Sequence, residues 1–249
     1  MAWYAYCLIE QQALTNGVRT RRPLLLDGVQ GVNGAAVLSY PSGEFGVVVS
    51  EFDRSVENSL NEKSVLEHAR VVSACFRTGT VLPFRFGTIF DTDEALRQAV
   101  RANRRAFGQS VARLRGKCEM HMKVLVKDGS LRDAMSPVEL PDTVGGAYLL
   151  KLREKASKER ERQTKARALS VQVHRMFNPL EEEVSCKRVD TDGMLIDIAH
   201  LIDSKSVERY QNRYNSAAKQ LKNCEVAMSG PWPPYHFLPG KLRTVAGNS

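Results

Sequence analysis

Five histidines are where a search for chemistry begins, because imidazole serves as acid, base and metal ligand near neutral pH. His68, His121, His174, His200 and His236 stand singly, with no HxxxH or HExxH spacing to bring two onto one helix face. Cys7, Cys75, Cys118, Cys186 and Cys224 contain no CxxC pair, and dispersed, odd-numbered cysteines fit small buried side chains in a reducing compartment. His121 follows Cys118 by three residues, which in a strand puts the two on opposite faces. The glycine-rich phrase GVQGVNG (Gly28 to Gly34) lacks the terminal Gly-Lys-Ser/Thr of a phosphate loop and precedes a strand rather than a helix. Glu181, Glu182 and Glu183 read as a solvated strand start, and Asp190 with Asp192 as hairpin-turn chemistry. No nucleophile elbow is present either. These residues predict no enzyme, no metal and no cofactor.

Binding chemistry is better represented. KLREKASKERERQTKAR (Lys151 to Arg167) carries eight basic and three acidic residues, so most of the chain's formal +8 sits in one segment. Lys151, Arg153, Lys158, Arg160 and Arg162 form a candidate basic face for an acidic partner, nucleic acid included. Glu154 before Lys158, and Glu161 before Lys165, are in the i,i+4 order that stabilises a solvated helix by itself. The self-stabilised surface is therefore the stronger reading and a nucleic-acid-binding module the alternative. FRFGTIF (Phe84 to Phe90) places Phe84, Phe86 and Phe90 at even spacing, as a base-stacking strand would. It lacks the order of the RNA-binding signature, and the same parity suits a packed strand face.

The elements that hold these residues are readable from periodicity. Trp3 to Glu10 and Phe45 to Phe52 read as strands, and Asn58 to Arg77 as a helix with Leu60, Val65, Leu66, Ala69, Val72 and Phe76 near helical spacing. Thr80 to Phe90 reads as one strand with Pro83 at an edge or bulge. Asp91, Thr92 and Asp93 offer caps to a helix ending near Arg115. Then come a strand (Lys117 to Asp128), a long helix (Asp142 to Phe177), a hairpin turning at Asp192–Gly193, a helix (Ser204 to Lys222) and a short strand (Cys224 to Met228). The second half thus predicts the β-α-β-β-α-β ferredoxin-like order, the first a modified α+β relative of it. The expected division is residues 1–116, residues 117–229, and a tail, 230–249, packed back on the body. With 43% hydrophobic and 26% charged residues this is a globular composition, and neither a membrane span nor a secretory leader is legible, so a cytoplasmic site is expected.

The tail opens with SGPWPPYHFLPG (Ser229 to Gly240), in which Pro231, Pro233 and Pro234 stiffen the chain. It reads as a strap with Trp232 and Tyr235 buried, rather than as a docking peptide.

Two segments in order carry a family resemblance. HARVVSACFRTGTVLPFRFGTIF (His68 to Phe90), with His68, Pro83, Arg85, Phe86 and Gly87, resembles the signature of the GvpF/GvpL family of gas vesicle proteins. GPWPPYHF, with Gly230, Pro231, Trp232, Pro233, Pro234, Tyr235 and Phe237, is similar to that family's C-terminal motif. The resemblance implies a two-domain α+β protein without catalytic activity. It implies an accessory or minor structural role in assembling gas vesicles, the hollow protein-walled organelles of buoyancy. The partners it implies are the small shell protein and other accessory proteins, and the location the gas vesicle. Structural roles are expected for His68 and Arg85.

Overall fold

The computed structural model describes residues 1–10, 22–23, 28–126, 144–178, 183–191, 194–221 and 224–238. The predicted turn at Asp192–Gly193, the expected helix start at Asp142 and the side chains of Arg162 and Cys186 lie outside them. The chain forms two compact units: Met1–Cys118 together with the segment from Trp232, and Glu119–Pro231.

The first unit is built around its first strand. β1 (Ala2–Glu10) lies between β4 (Phe45–Phe52) and β5 (Val81–Pro83) in a sheet ordered β2–β3–β4–β1–β5, where β2 is Arg22–Pro23 and β3 is Leu38–Ser42. β6 (Ile89–Phe90) also pairs with β1. A central strand covered on both faces reads as a nearly unbroken apolar run, and Ala2 through Ile9 are all buried. Its register with β4 shifts between Ala5 and Cys7, so Tyr6 is the extra residue of a β-bulge. Parity therefore changes there, and Tyr4, Tyr6, Cys7 and Ile9 join one core cluster with Val71, Val72, Ala74 and Cys75 of α1 (Glu62–Thr78). Cys7, Cys75 and Cys118 are buried free thiols, and burial pushes the Cys7 thiol up.

Two sequence boundaries move, one through a helix cap and one through a glycine turn. The helix expected from Asn58 begins at Glu62, because Asn61 accepts from Lys63 N (3.0 Å) and Ser64 N (3.3 Å) while Ser64 Oγ returns to Asn61 N. Residues Arg54–Ser59 form a separate 3-10 turn capped by Asp53. The single strand expected over Thr80–Phe90 is instead β5 and β6 separated by a loop, since Gly87 takes φ 79°. Pro83 does fall on the edge strand, opposite Cys7. α2 (Asp93–Leu114) starts from a Thr92 cap and packs Phe107 edge-on against Phe45 and Phe84.

In the second unit β7 (Lys117–Val126), α3 (Val144–Phe177), β8 (Glu183–Thr191), β9 (Met194–Asp203), α4 (Val207–Gln220) and β10 (Cys224–Trp232) follow the expected β-α-β-β-α-β order. The sheet runs β10–β7–β9–β8, with β8 and β9 antiparallel, as in a split β-α-β fold. Met120, Met122 and Val124 of β7, Ile196, Ile198 and Ile202 of β9, Val173 and Phe177 of α3, and Tyr210 and Ala217 of α4 are all buried. The last strand runs four residues past its expected end at Met228, through Gly230. Gly230 sits at φ 123°, and a Cβ there would meet Glu119 O and Met120 Sδ, each at 2.8 Å. Gly108, inside α2, has nothing within 4 Å of its would-be Cβ.

Those two glycines make opposed predictions. Gly230→Ala costs about 2 kcal/mol or more through backbone collision and a disfavoured φ, whereas Gly108→Ala gains about 0.5–1 kcal/mol by removing helix-interior glycine. Denaturant unfolding monitored by circular dichroism checks both; equal midpoints for the two variants would sink the argument.

Candidate functional site

The first unit converges its polar groups on a loop. Residues Phe84 to Thr88 bridge β5 and β6, and both ends are pinned to β1: Phe84 N donates to Tyr6 O (2.8 Å) and Ala5 N to Thr88 O (2.9 Å). The loop closes on itself, with Thr88 N (3.1 Å) and Thr88 Oγ1 (2.7 Å) both donating to Arg85 O. At its tip Gly87 N donates to the Tyr4 hydroxyl (3.2 Å), which lies 3.0 Å from His68 Nδ1. His68 Nε2 is buried and has no hydrogen-bond partner among the described residues.

A second relay stands beside the first. Tyr6 OH donates to Ser50 Oγ (3.0 Å), Ser50 Oγ donates to Ala36 O (2.8 Å), and Val32 N donates to Tyr6 OH (2.8 Å). The glycine-rich phrase explains itself here: a Cβ on Gly31 would collide with Tyr6 OH and Ser50 Oγ. Glu67, next to His68 on α1, accepts from Asn33 N at 3.0 Å, the residue that takes φ 58° in this turn. Tyr4, Tyr6 and His68 also pack ring on ring, at centroid separations of 5.0 to 5.7 Å. Burial pulls His68 down from 6.5 to about 4 and pushes Tyr4 up to about 12. Both are neutral at physiological pH. The second unit has its own version, His200 Nδ1 to Tyr210 OH at 2.6 Å with Phe177 stacked at 5.3 Å, and burial likewise lowers His200 to about 4.

What the relay presents outward is Arg85 and Phe86. Arg85 is exposed, and its carbonyl rather than its guanidinium makes the loop's bonds. Phe86, 38% exposed, leans edge-on against Tyr4 and His68. The expectation of one packed aromatic face over Phe84, Phe86 and Phe90 is thus corrected: Phe84 and Phe90 pair edge-on on one side, and the Gly87 turn sends Phe86 to the other. Val65 and Leu66, on the same helix as His68, are exposed too.

The C-terminal motif divides differently from its prediction. Trp232 and Tyr235, expected to be buried, are 43% and 38% exposed, while Pro233, Pro234 and Phe237 are buried. A 3-10 turn over Tyr235–Phe237 causes this, with Phe237 N donating to Pro234 O (3.3 Å) and Arg113 of α2 donating to the Phe237 carbonyl. Within the first unit the tail is a strap fastened by prolines and one phenylalanine. Pro231 is exposed, and Gly230 holds its close approach to β7. On α3, Lys151, Arg153, Lys158 and Arg160 are all exposed, and the two expected pairs form: Lys158 to Glu154 at 2.6 Å and Lys165 to Glu161 at 3.0 Å. Sequence reasoning missed Glu119, a buried carboxylate on β7 whose partner is His121, two residues along the same strand face.

Comparison with known proteins follows the same segments from end to end. The sequence model of one family, described as Gas vesicle synthesis protein GvpL/GvpF, matches residues 2–239. The chain belongs to the GvpL/GvpF family. Gas vesicle protein F1 of Halobacterium salinarum is 22% identical over 238 residues, covering 94% of this chain and 92% of that one. Gas vesicle protein F2 of the same organism is 25% identical over 218 residues, covering 86% and 85%. The crystal structure of the gas vesicle protein GvpF from Anabaena sp. PCC7120 superposes with a TM-score of 0.77 at 19% identity, covering 96% of each chain, which shows a shared fold. No helix among the described residues is long and apolar enough to cross a membrane.

The buried histidines make stability depend on acid. Above pH 6.5 folded and unfolded chains both hold neutral imidazole, so neither His68 nor His200 contributes a slope. Between 6.5 and about 4 the unfolded chain takes up protons that the folded chain refuses, so stability falls as pH falls, by ~3 kcal/mol per histidine. Unfolding midpoints measured from pH 7.5 to 4 should drop across that window, and more shallowly in His68→Leu. A midpoint independent of pH would contradict the burial argument.

Proposed function

We infer that this GvpL/GvpF member is an accessory or minor structural protein of gas vesicle assembly and acts by protein contact rather than by catalysis. The observation that carries this is the use made of its polar groups. Tyr6 and Ser50 are consumed in holding the turn at Val32, Tyr4 and His68 in holding the loop between β5 and β6, and the side chains turned outward at that loop are an arginine and an exposed phenylalanine. A guanidinium beside an aromatic ring is a common anchor pair at protein interfaces. A rigid anchor costs little conformational entropy on binding.

The loop's partner, in this reading, is the small apolar shell protein, which the Phe86 ring and the exposed Val65 and Leu66 would meet before the shell assembles. Other accessory proteins share the remaining surface. The protein acts where gas vesicles form.

Deletion in a vesicle-forming host should reduce vesicle number or alter vesicle shape, and normal vesicles would reject the reading. Phe86→Ala with Arg85→Gln should lower co-purification with the shell protein about tenfold while leaving the circular dichroism melt unchanged, as expected for loss of ~1.4 kcal/mol at an interface hot spot. Undiminished co-purification would move the contact elsewhere on the surface.

A further inference from the structure

Much of the described surface of α3 is left unburied. Among its described side chains the buried ones are Ala166, Val173 and Phe177, all in its C-terminal half. From Lys151 to Thr164 the helix is exposed almost all round, a span of about 20 Å at 1.5 Å per residue. A helix left in water on every side is either stabilised by its own ion pairs or waiting for a partner. Here the two explanations occupy different faces.

On one face Glu154–Lys158 and Glu161–Lys165 satisfy one another. On another face stand Arg153, Arg160 and Arg167, spaced by seven residues, all exposed, and their guanidinium groups have no hydrogen-bond or ion-pair partner among the described residues. Successive heptad positions drift by only about 20° around a straight helix, so the three form a single row with a pitch of about 10.5 Å. The residues between them on that row are Ala156, Ser157, Gln163 and Thr164, all exposed and uncharged. Glu154, Glu159 and Glu161 lie well off it, at least ~80° away at 100° per residue. One turn past Arg167 the row continues with Val171, 47% exposed.

We propose that this arginine row is a docking face for an acidic α-helix, one carrying carboxylates at seven-residue spacing and an apolar residue to meet Val171. Small side chains between the arginines let a second helix come within the 8–10 Å of ordinary helix packing. Flanking charges at heptad spacing are how helices choose partners, and a guanidinium can take each carboxylate through two hydrogen bonds. A second copy of this chain does not suit the row, because α3 against α3 sets arginine facing arginine. A nucleic-acid strand suits it less well. Its phosphates follow one another at about 3.4 Å of axial rise per strand, and the row offers isolated charges with no aromatic ring for stacking. Membrane binding would need an apolar face, and the exposed Leu152 and Val171 stand more than five turns apart along the helix.

The proposal deepens the reading of an assembly protein that works by contact and rests on it. Gene deletion tests that reading, whereas binding to purified chain tests this face, so the two can fail separately. The probe is a labelled 21-residue helical peptide with glutamate at every seventh position among alanine, serine and glutamine. It is compared by fluorescence anisotropy with its glutamine counterpart, a 20-base-pair DNA duplex and a single-stranded RNA of 20 nucleotides. The full-length protein should bind the glutamate peptide at least tenfold more tightly than the glutamine peptide. R153Q/R160Q/R167Q should erase that preference with an unchanged melt, and K155Q/K165Q should change it less than twofold. Equal affinity for the two peptides, or none at millimolar peptide, overturns the proposal. So does tighter binding of either nucleic acid that is lost in the same triple variant, or self-association abolished by that variant, which would assign the row to a second copy.

Discussion

The hydrogen bond between the Tyr4 hydroxyl and His68 Nδ1 ties three parts of the first unit together. It joins the central strand to α1, and through the Gly87 amide it fixes the loop between β5 and β6. Each of the three groups is costly to bury alone, at ~1–3 kcal/mol for an unsatisfied polar group, and the Tyr4 hydroxyl meets both the Gly87 amide and His68 Nδ1, while His68 Nε2 has no partner among the described residues. The arrangement also fixes a protonation state: the imidazole stays neutral because a charged ring would be desolvated among Tyr4, Tyr6 and Phe86. Position and neutrality have one cause, burial in an aromatic setting.

That constraint explains why the glycines of the N-terminal half stand where they do. Gly87 needs its positive φ to turn an amide inward at the Tyr4 hydroxyl. Gly31 needs the absence of a Cβ for its backbone to pass against Tyr6 and Ser50. Tyr4 and Tyr6 share one side of β1 by ordinary alternation, and the β-bulge at Tyr6 brings Cys7 and Ile9 to that side as well. Without the bulge, residues 7 and 9 would lie on the opposite face and the core beneath α1 would lose Cys7 and Ile9.

Much of the fold is legible in the sequence, because its signals are local. The long helix, the β8–β9 pairing, the caps at Thr92 and the edge position of Pro83 follow from periodicity, side-chain caps and the missing amide of proline. The illegible parts each depend on contacts between distant residues. Even spacing of Phe84, Phe86 and Phe90 suggests one face, yet Gly87 redirects Phe86 because an amide is needed 83 residues away in sequence. Trp232 and Tyr235 look like the buried part of the tail since they are its largest side chains. The 3-10 turn buries Pro233, Pro234 and Phe237 instead and leaves the larger rings half in water. Glu119 gives no signal at all, since a lone glutamate in a strand usually faces solvent.

The same physics separates the two kinds of surface on this molecule. Where a polar residue has a buried partner it serves the architecture, as do the two histidines that burial pulls down to about 4 and keeps uncharged at neutral pH. Where a charge or ring is left outward on a rigid support, the free energy of its contacts is unspent and open to a partner. The Arg85–Phe86 loop achieves rigidity through buried relays, whereas the exposed half of α3 achieves it through backbone hydrogen bonds and Glu–Lys pairs along one face. Each unit thus supports its exposed groups by a different means. The difference predicts different sensitivities, since added salt screens the charges of α3 and leaves the aromatic anchor beside Arg85 nearly untouched.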